Sequence, residues 1–355
     1  MIEAAGAFRT RLEAGPMRFL KLEWQTELDR ARVALAAFVG AASDRLVFVP
    51  GTTTGVALAL HSTQLAAGDE VLATDHSYRA CRNQLERLAR ARGLRITTVP
   101  LALPFDPEAA VTAITTAISS RTRLAVLDHI TSPTALRLPL ERLVPAFAAR
   151  GIPTIIDGAH APGQLPLELG ELGATYYVGN CHKWLCAPKA AGFVVVAAGA
   201  PLDPLVTSHG ASLEYGPANR LHAELDWSGT YDPSAQLAVP AAIETVAREG
   251  GGWPAVYAHN HALALALRDR VIDALGGSRL APDASLGSMA AIPIALPPGT
   301  TPLGLERELL VAGWEVPIVD FPGGPLVRVS AHLYNHVGEA ELLAKELRAR
   351  GVTAR

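Results

Sequence analysis

Ile155-Ile-Asp-Gly-Ala-His-Ala-Pro-Gly163 and Tyr177-Val-Gly-Asn-Cys-His-Lys-Trp184 are apolar runs that each break into a polar, glycine-bearing turn. A short run rich in β-branched or aromatic residues, closed by Gly and polar residues, reads as a buried strand. The same texture extends toward the N-terminus. Strand-like runs at 46–50, 71–74, 95–99, 123–128 and 153–157 alternate with helical stretches near 56–65, 79–92, 107–118 and 140–150. Apolar strands separated by helices of this length predict an α/β protein with a mostly parallel sheet covered on both faces. Such sheets hold ligands beyond the carboxyl ends of their strands. The polar clusters Thr52 to Thr54, Asp75 to Tyr78, Asp128 to Thr134 and Asp157 to His160 all fall at those ends.

Past Gly250-Gly251-Gly252 the pattern changes to a long helix near 253–275, short strands near 289–296 and 325–330, and helices near 302–312 and 337–350. This predicts a large domain over 40–250 and a smaller α/β domain from 251–355, completed by residues 1–39. At 355 residues the chain is long enough for two cores. With 31 basic against 34 acidic residues and no basic run, neither nucleic acid nor an anionic membrane is expected as a partner. No apolar stretch is long enough to span a bilayer. The three cysteines, Cys81, Cys181 and Cys186, have no metal-type spacing. An odd, sparse count fits a reducing compartment, so a cytoplasmic protein without a metal is expected.

A carboxylate at the end of an apolar strand is costly unless a cation or several donors meet it. Asp157 is such a group, and the N–H of a pyridinium ring is such a partner, one that turns the ring into an electron sink. Lys183 follows 26 residues later, in a polar turn after a second apolar run. There, desolvation would make its amine nucleophilic toward an aldehyde. Taken singly, Asp157 reads as a capping residue, Lys183 as a solvated surface lysine and His160 as a core histidine. In this order and spacing they point to pyridoxal 5′-phosphate (PLP).

The chain also resembles the class V branch of the fold-type I PLP enzymes, within it the isopenicillin N epimerase-like group. The resemblance rests on Asp128-His-Ile-Thr-Ser-Pro-Thr-Ala135, Asp157-Gly-Ala-His-Ala-Pro-Gly163 and Gly179-Asn-Cys-His-Lys-Trp-Leu-Cys-Ala-Pro-Lys189. Asp226-Trp-Ser-Gly-Thr-Tyr-Asp-Pro233 and Arg328-Val-Ser-Ala-His-Leu-Tyr-Asn335 extend it over nearly the whole chain. It implies Lys183 and Asp157 as catalytic and cofactor-binding groups, Tyr78 stacked on the cofactor, and His160 on the cofactor's 3′-oxygen, with Ser132 or Thr134 assisting. Thr52, Thr53, Asn180 and His182 are implied at the phosphate, and Thr230 at the phosphate of a neighbouring subunit. A homodimer with shared active sites follows from that last role. Arg328 is implied at the substrate α-carboxylate, where a planar fork suits a bidentate task.

The chain departs from the group in two places. Members open with a Leu-Asn-x-Gly-Ser-x-Gly segment lining the substrate pocket, whereas this sequence opens at Met1-Ile-Glu, in the helix that would follow. That wall is therefore either encoded upstream or built differently. Gly51 also stands where the group often has Asn. The expected chemistry starts with removal of an α-proton from an amino-acid substrate by Lys183. Epimerisation is the leading expectation, with Tyr78 or a mobile side chain as proton donor on the opposite face. C–S β-elimination of the cysteine desulfhydrase or sulfoxide lyase type, transamination, and a catalytically silent PLP-binding protein are the alternatives. Persulfide-forming desulfurase chemistry is disfavoured because it uses a late, mobile cysteine and none follows Cys186. His209, Glu214 and Tyr215, in the loop 208–219, are available for polar contacts to the substrate side chain.

Overall fold

A computed structural model of the protein describes residues 1–212 and 220–355. Seven strands form the larger sheet: β1 (Leu46–Val49), β2 (Glu70–Thr74), β3 (Arg95–Val99), β4 (Thr122–Asp128), β5 (Thr154–Gly158), β6 (Tyr176–Asn180) and β7 (Gly192–Val196). Their order is β1-β7-β6-β5-β4-β2-β3, and only β7 runs antiparallel to its neighbours. The sheet is therefore mixed but mostly parallel, as the alternating pattern predicts.

Its central strands are buried on both faces, which explains why they read as unbroken apolar runs rather than alternating ones. On one face Val47, Val71, Leu124, Ile155, Val178 and Val194 pack with residues of the helices Thr52–Ser62 and Arg79–Arg92. On the other, Leu46, Leu72, Leu127, Ile156, Tyr177 and Phe193 join the helices Trp24–Phe38, Pro107–Thr116 and Leu140–Ala148. The edge strand β3 alone is largely solvated. Gly55 lets the helix Thr52–Ser62 approach the sheet closely, since a Cβ there would lie 2.3 Å from Val178 Cγ1. That approach brings the helix N-terminus over the strand ends.

A second, antiparallel sheet of four strands has the order β11-β8-β10-β9, from β8 (Met289–Ala295), β9 (Ile318–Val319), β10 (Leu326–Ser330) and β11 (Thr353–Ala354). The helix Trp253–Leu275 packs against it, and the helix Gly338–Ala349 packs on Trp253–Leu275. The helix Trp24–Phe38 reaches toward both parts: Arg32 donates to the Leu46 carbonyl of β1, and Phe38 meets Trp253 edge-on with ring centres 4.7 Å apart. No helix among the described residues is long and apolar enough to cross a membrane.

Candidate active site

The carboxyl ends of β1, β2, β4, β5 and β6 bring the polar clusters of the sequence to one edge of the sheet. Asp157 closes β5 and is buried. Its Oδ1 accepts the Ala159 N–H at 3.0 Å and its Oδ2 accepts the Cys81 thiol at 3.1 Å. Burial pushes its carboxyl above the usual range, opposed by these two donors and by the charge of Lys183. A buried carboxylate next to a lysine is the arrangement that a ring cation would stabilise.

Lys183 lies in the turn after β6, where burial pushes its ammonium down to about 8. The nearby Asp157 pulls the other way, and Arg328 adds to the lowering. Its Nζ sits 3.0 Å from His160 Nε2 and 5.9 Å from the centre of the Tyr78 ring. The Trp184 indole N–H faces His160 Nδ1 at 3.4 Å. Burial and the charges of Lys183 and Arg328 hold His160 well below its usual range, so it stays neutral. Gln164 fixes the His160 backbone by donating to its carbonyl at 2.8 Å.

The phosphate candidates converge at the start of the helix Thr52–Ser62. First-turn N–H groups lack partners within their own helix and carry the positive end of its dipole. Thr52 N–H donates to Asn180 Oδ1 at 2.9 Å, so Asn180 caps this helix as well as bordering the site. The Thr52 hydroxyl oxygen is buried and has no hydrogen-bond partner. That orphaned group fits an anionic ligand lodged at the helix end. His182 donates from Nδ1 to the Ala191 carbonyl at 3.0 Å, fixing its ring beside Gly51. Thr53 is exposed, and its carbonyl accepts from Gln84 at 2.8 Å.

Arg328 projects from β10 and is half-buried. Its Nη1 donates to the Ser132 carbonyl and to Ser132 Oγ, while Nε is buried without a partner. A guanidinium with an unmet donor suits a carboxylate. Arg328, Ser132 and Tyr78 line one cavity of about 550 Å3 with Arg79 and Phe321. Ser132 therefore holds the arginine, and Thr134 is engaged elsewhere, bonded to His76 at 2.7 Å and to Thr131 at 2.8 Å. Thr230 is exposed in the loop 226–233. Of the loop residues named for substrate contact, Glu214 and Tyr215 lie outside the described residues.

Two groups here carry no role in the sequence reading. Asp128 closes β4 directly beside Asp157 and is buried; burial first and then Asp157 push its carboxyl up, while the Tyr78 backbone N–H it accepts pulls down. It thus pins the start of the helix Arg79–Arg92 and with it the Tyr78 ring. Cys81 lies on that helix three residues after Tyr78, a spacing that puts both on one face.

The class-V aminotransferase family model matches residues 3–296, and the chain belongs to that family, whose enzymes depend on PLP. It is 38% identical to isopenicillin N epimerase of Amycolatopsis lactamdurans over 96% of this chain and 89% of that protein. Against isopenicillin N epimerase of Streptomyces clavuligerus the identity is 36%, covering 98% and 90%. A putative L-cysteine desulfhydrase 1 of rice (Oryza sativa subsp. japonica) is 30% identical over 99% of this chain and 74% of its own length. Among solved structures, the cystine C-S lyase C-DES, in complex with cysteine persulfide, superposes with a TM-score of 0.85 at 21% identity, covering 98% of this chain and 93% of its own. That likeness establishes the fold.

Proposed function

We propose that this chain is an isopenicillin N epimerase-like enzyme that inverts the α-carbon of an amino-acid substrate. PLP, when bound, supplies the electron sink that makes an α-proton removable. Asp157 holds the proton of the ring nitrogen, and Thr52, Thr53, Asn180 and His182 hold the phosphate. Arg328 orients the substrate through its carboxylate. Lys183, biased by burial toward the neutral amine, takes the proton from one side of the carbon, and Tyr78 returns one from the other. The observation that carries this reading is the approach of Lys183 Nζ to within 5.9 Å of the centre of the Tyr78 ring, which puts the lysine and the tyrosine in one site. Likeness to two epimerases along nearly the whole chain supports the same conclusion.

A C–S β-lyase is the second reading, favoured by the likeness to desulfhydrases. It needs the same lysine and no second acid. One experiment separates the two. The PLP-loaded protein is incubated in deuterated water with isopenicillin N and, separately, with L-cysteine. Deuterium at the α-carbon with inverted configuration is the expected result; pyruvate and sulfide from cysteine without inversion of isopenicillin N would replace it with the lyase.

The proposal includes a cytoplasmic homodimer in which Thr230 reaches the partner's phosphate site. It also divides the chain into a cofactor-binding unit over 40–250 and a smaller unit from 1–39 with 251–355. Sedimentation at micromolar concentration should give a mass near twice 37.3 kDa; a sharp 37.3 kDa species with full PLP affinity would remove the shared site.

A further inference from the structure

We propose that Cys81 is a positioning residue of the cofactor site, whose S–H holds Asp157 ionised and oriented toward the ring nitrogen. The inference rests on the reading of Asp157 as the partner of that nitrogen. Among the described residues the Asp157 carboxylate has two donors, and they differ in kind. Oδ1 takes the Ala159 backbone N–H, which almost any residue at that position would supply. Oδ2 takes the Cys81 thiol at 3.1 Å, which is short for a sulfur donor and depends on this side chain alone. Both residues are buried, so no solvent stands in if the thiol is removed.

The choice of a thiol has a physical logic. Asp128 and Asp157 stand side by side at the ends of adjacent strands, a buried arrangement that discourages both from ionising together. A cationic residue at position 81 would relieve that repulsion, but it would compete with a ring cation for the same oxygen. A residue without a donor would leave Asp157 free to take the proton itself. A neutral donor avoids both outcomes. Burial first, and the neighbouring Asp157 next, push the Cys81 thiol far up, so it keeps its proton and remains a donor. The placement is also economical. Tyr78 caps the helix Arg79–Arg92, Cys81 sits three residues on, and Asp128 anchors the Tyr78 N–H. One helix turn therefore carries both the ring over the cofactor face and the donor behind the carboxylate.

The test reads the cofactor proton directly, not turnover. Apo-protein is loaded with PLP labelled with 15N in the ring, and the 15N chemical shift reports whether that nitrogen is protonated. Wild-type protein and Cys81→Ser, which keeps a hydroxyl donor, should both show a pyridinium shift. Cys81→Ala should move the resonance toward neutral pyridine, because a carboxylate stripped of its donor takes the shared proton more readily. The ratio of the two forms should change at least ~10-fold, the scale of one hydrogen bond to a charged group. Cys81→Val fills the site without a donor and is read in place of Cys81→Ala if that variant does not fold. Non-donor variants that keep the wild-type shift would overturn the proposal. Asp157→Asn is the control for the underlying reading: if its nitrogen stays protonated, Asp157 is not the partner and the fault lies there, not with Cys81.

Discussion

Burial pushes Lys183 from its ordinary 10.5 down to about 8, and this has a measurable consequence for cofactor capture. Only the neutral amine attacks an aldehyde. At pH 7 an ordinary lysine is neutral in roughly 0.03% of molecules, and one with a value near 8 in roughly 9%, a gain of about 300-fold in reactive amine. The rate at which apo-protein combines with PLP, followed in a stopped-flow spectrometer by the band near ~410–430 nm, should therefore rise with pH through a midpoint near 8 and level off above it. Arg328 is one of the groups that lowers this value, so Arg328→Ala should move the midpoint upward. Asp157→Asn removes an opposing charge and should move it downward. A wild-type midpoint near 10.5 would refute the assignment of a desolvated lysine. Shifts of the same sign in the two variants would refute the charge balance drawn around it.

Three further outcomes are expected. Thr52→Val removes a buried hydroxyl that has no partner; the melting temperature of the apo-protein should stay the same or rise, while PLP affinity measured by titration falls about 10-fold. Arg32→Met strands Asp226, which Arg32 grips at 2.5 and 3.2 Å with both side chains buried. The cost should be about 3–5 kcal/mol, or a melting point lower by about 5 °C in calorimetry, mostly recovered in Arg32→Met/Asp226→Leu. Burial already raises the Asp226 carboxyl, and without Arg32 it rises further. The folded variant then holds a proton that the unfolded chain releases, so its stability falls as pH rises above the ordinary carboxylate range. Its deficit should be larger at pH ~8 than at pH ~5. Arg328→Ala should raise the KM for amino acids roughly 100-fold in steady-state assays while PLP binding is retained.

Much of this architecture was legible because the larger sheet is buried on both faces. Unbroken apolar runs such as 123–128 could only be strands between helical layers, and the helices Arg79–Arg92 and Trp253–Leu275 have the predicted bounds. β7 was not placed: Gly192-Phe-Val-Val-Val196 reads as a strand, but its antiparallel insertion between β1 and β6 is a matter of tertiary packing. The short strands β9 and β11 are two residues each and leave no periodic signal. At the site, Asp157 and Lys183 were visible because a strand-end carboxylate and a buried lysine both need a partner. Asp128 lay in the same kind of position, but its partners are the Tyr78 backbone N–H and the Ser77 side chain, some fifty residues earlier in the chain, which no local pattern reveals. In the sequence Cys81 carries only a sign of redox compartment. Its spacing from Tyr78 was the available clue, and it acquires meaning once β5 is known to end against that helix.

The chain has four lysines, Lys21, Lys183, Lys189 and Lys345. Borohydride reduction after PLP is added fixes the cofactor to whichever amine carries it, and peptide mass spectrometry locates the modified residue. A single phosphopyridoxyl group is expected on Lys183, lost in Lys183→Ala. Modification of Lys189, six residues along the same segment, or an equal spread over several lysines, would contradict it.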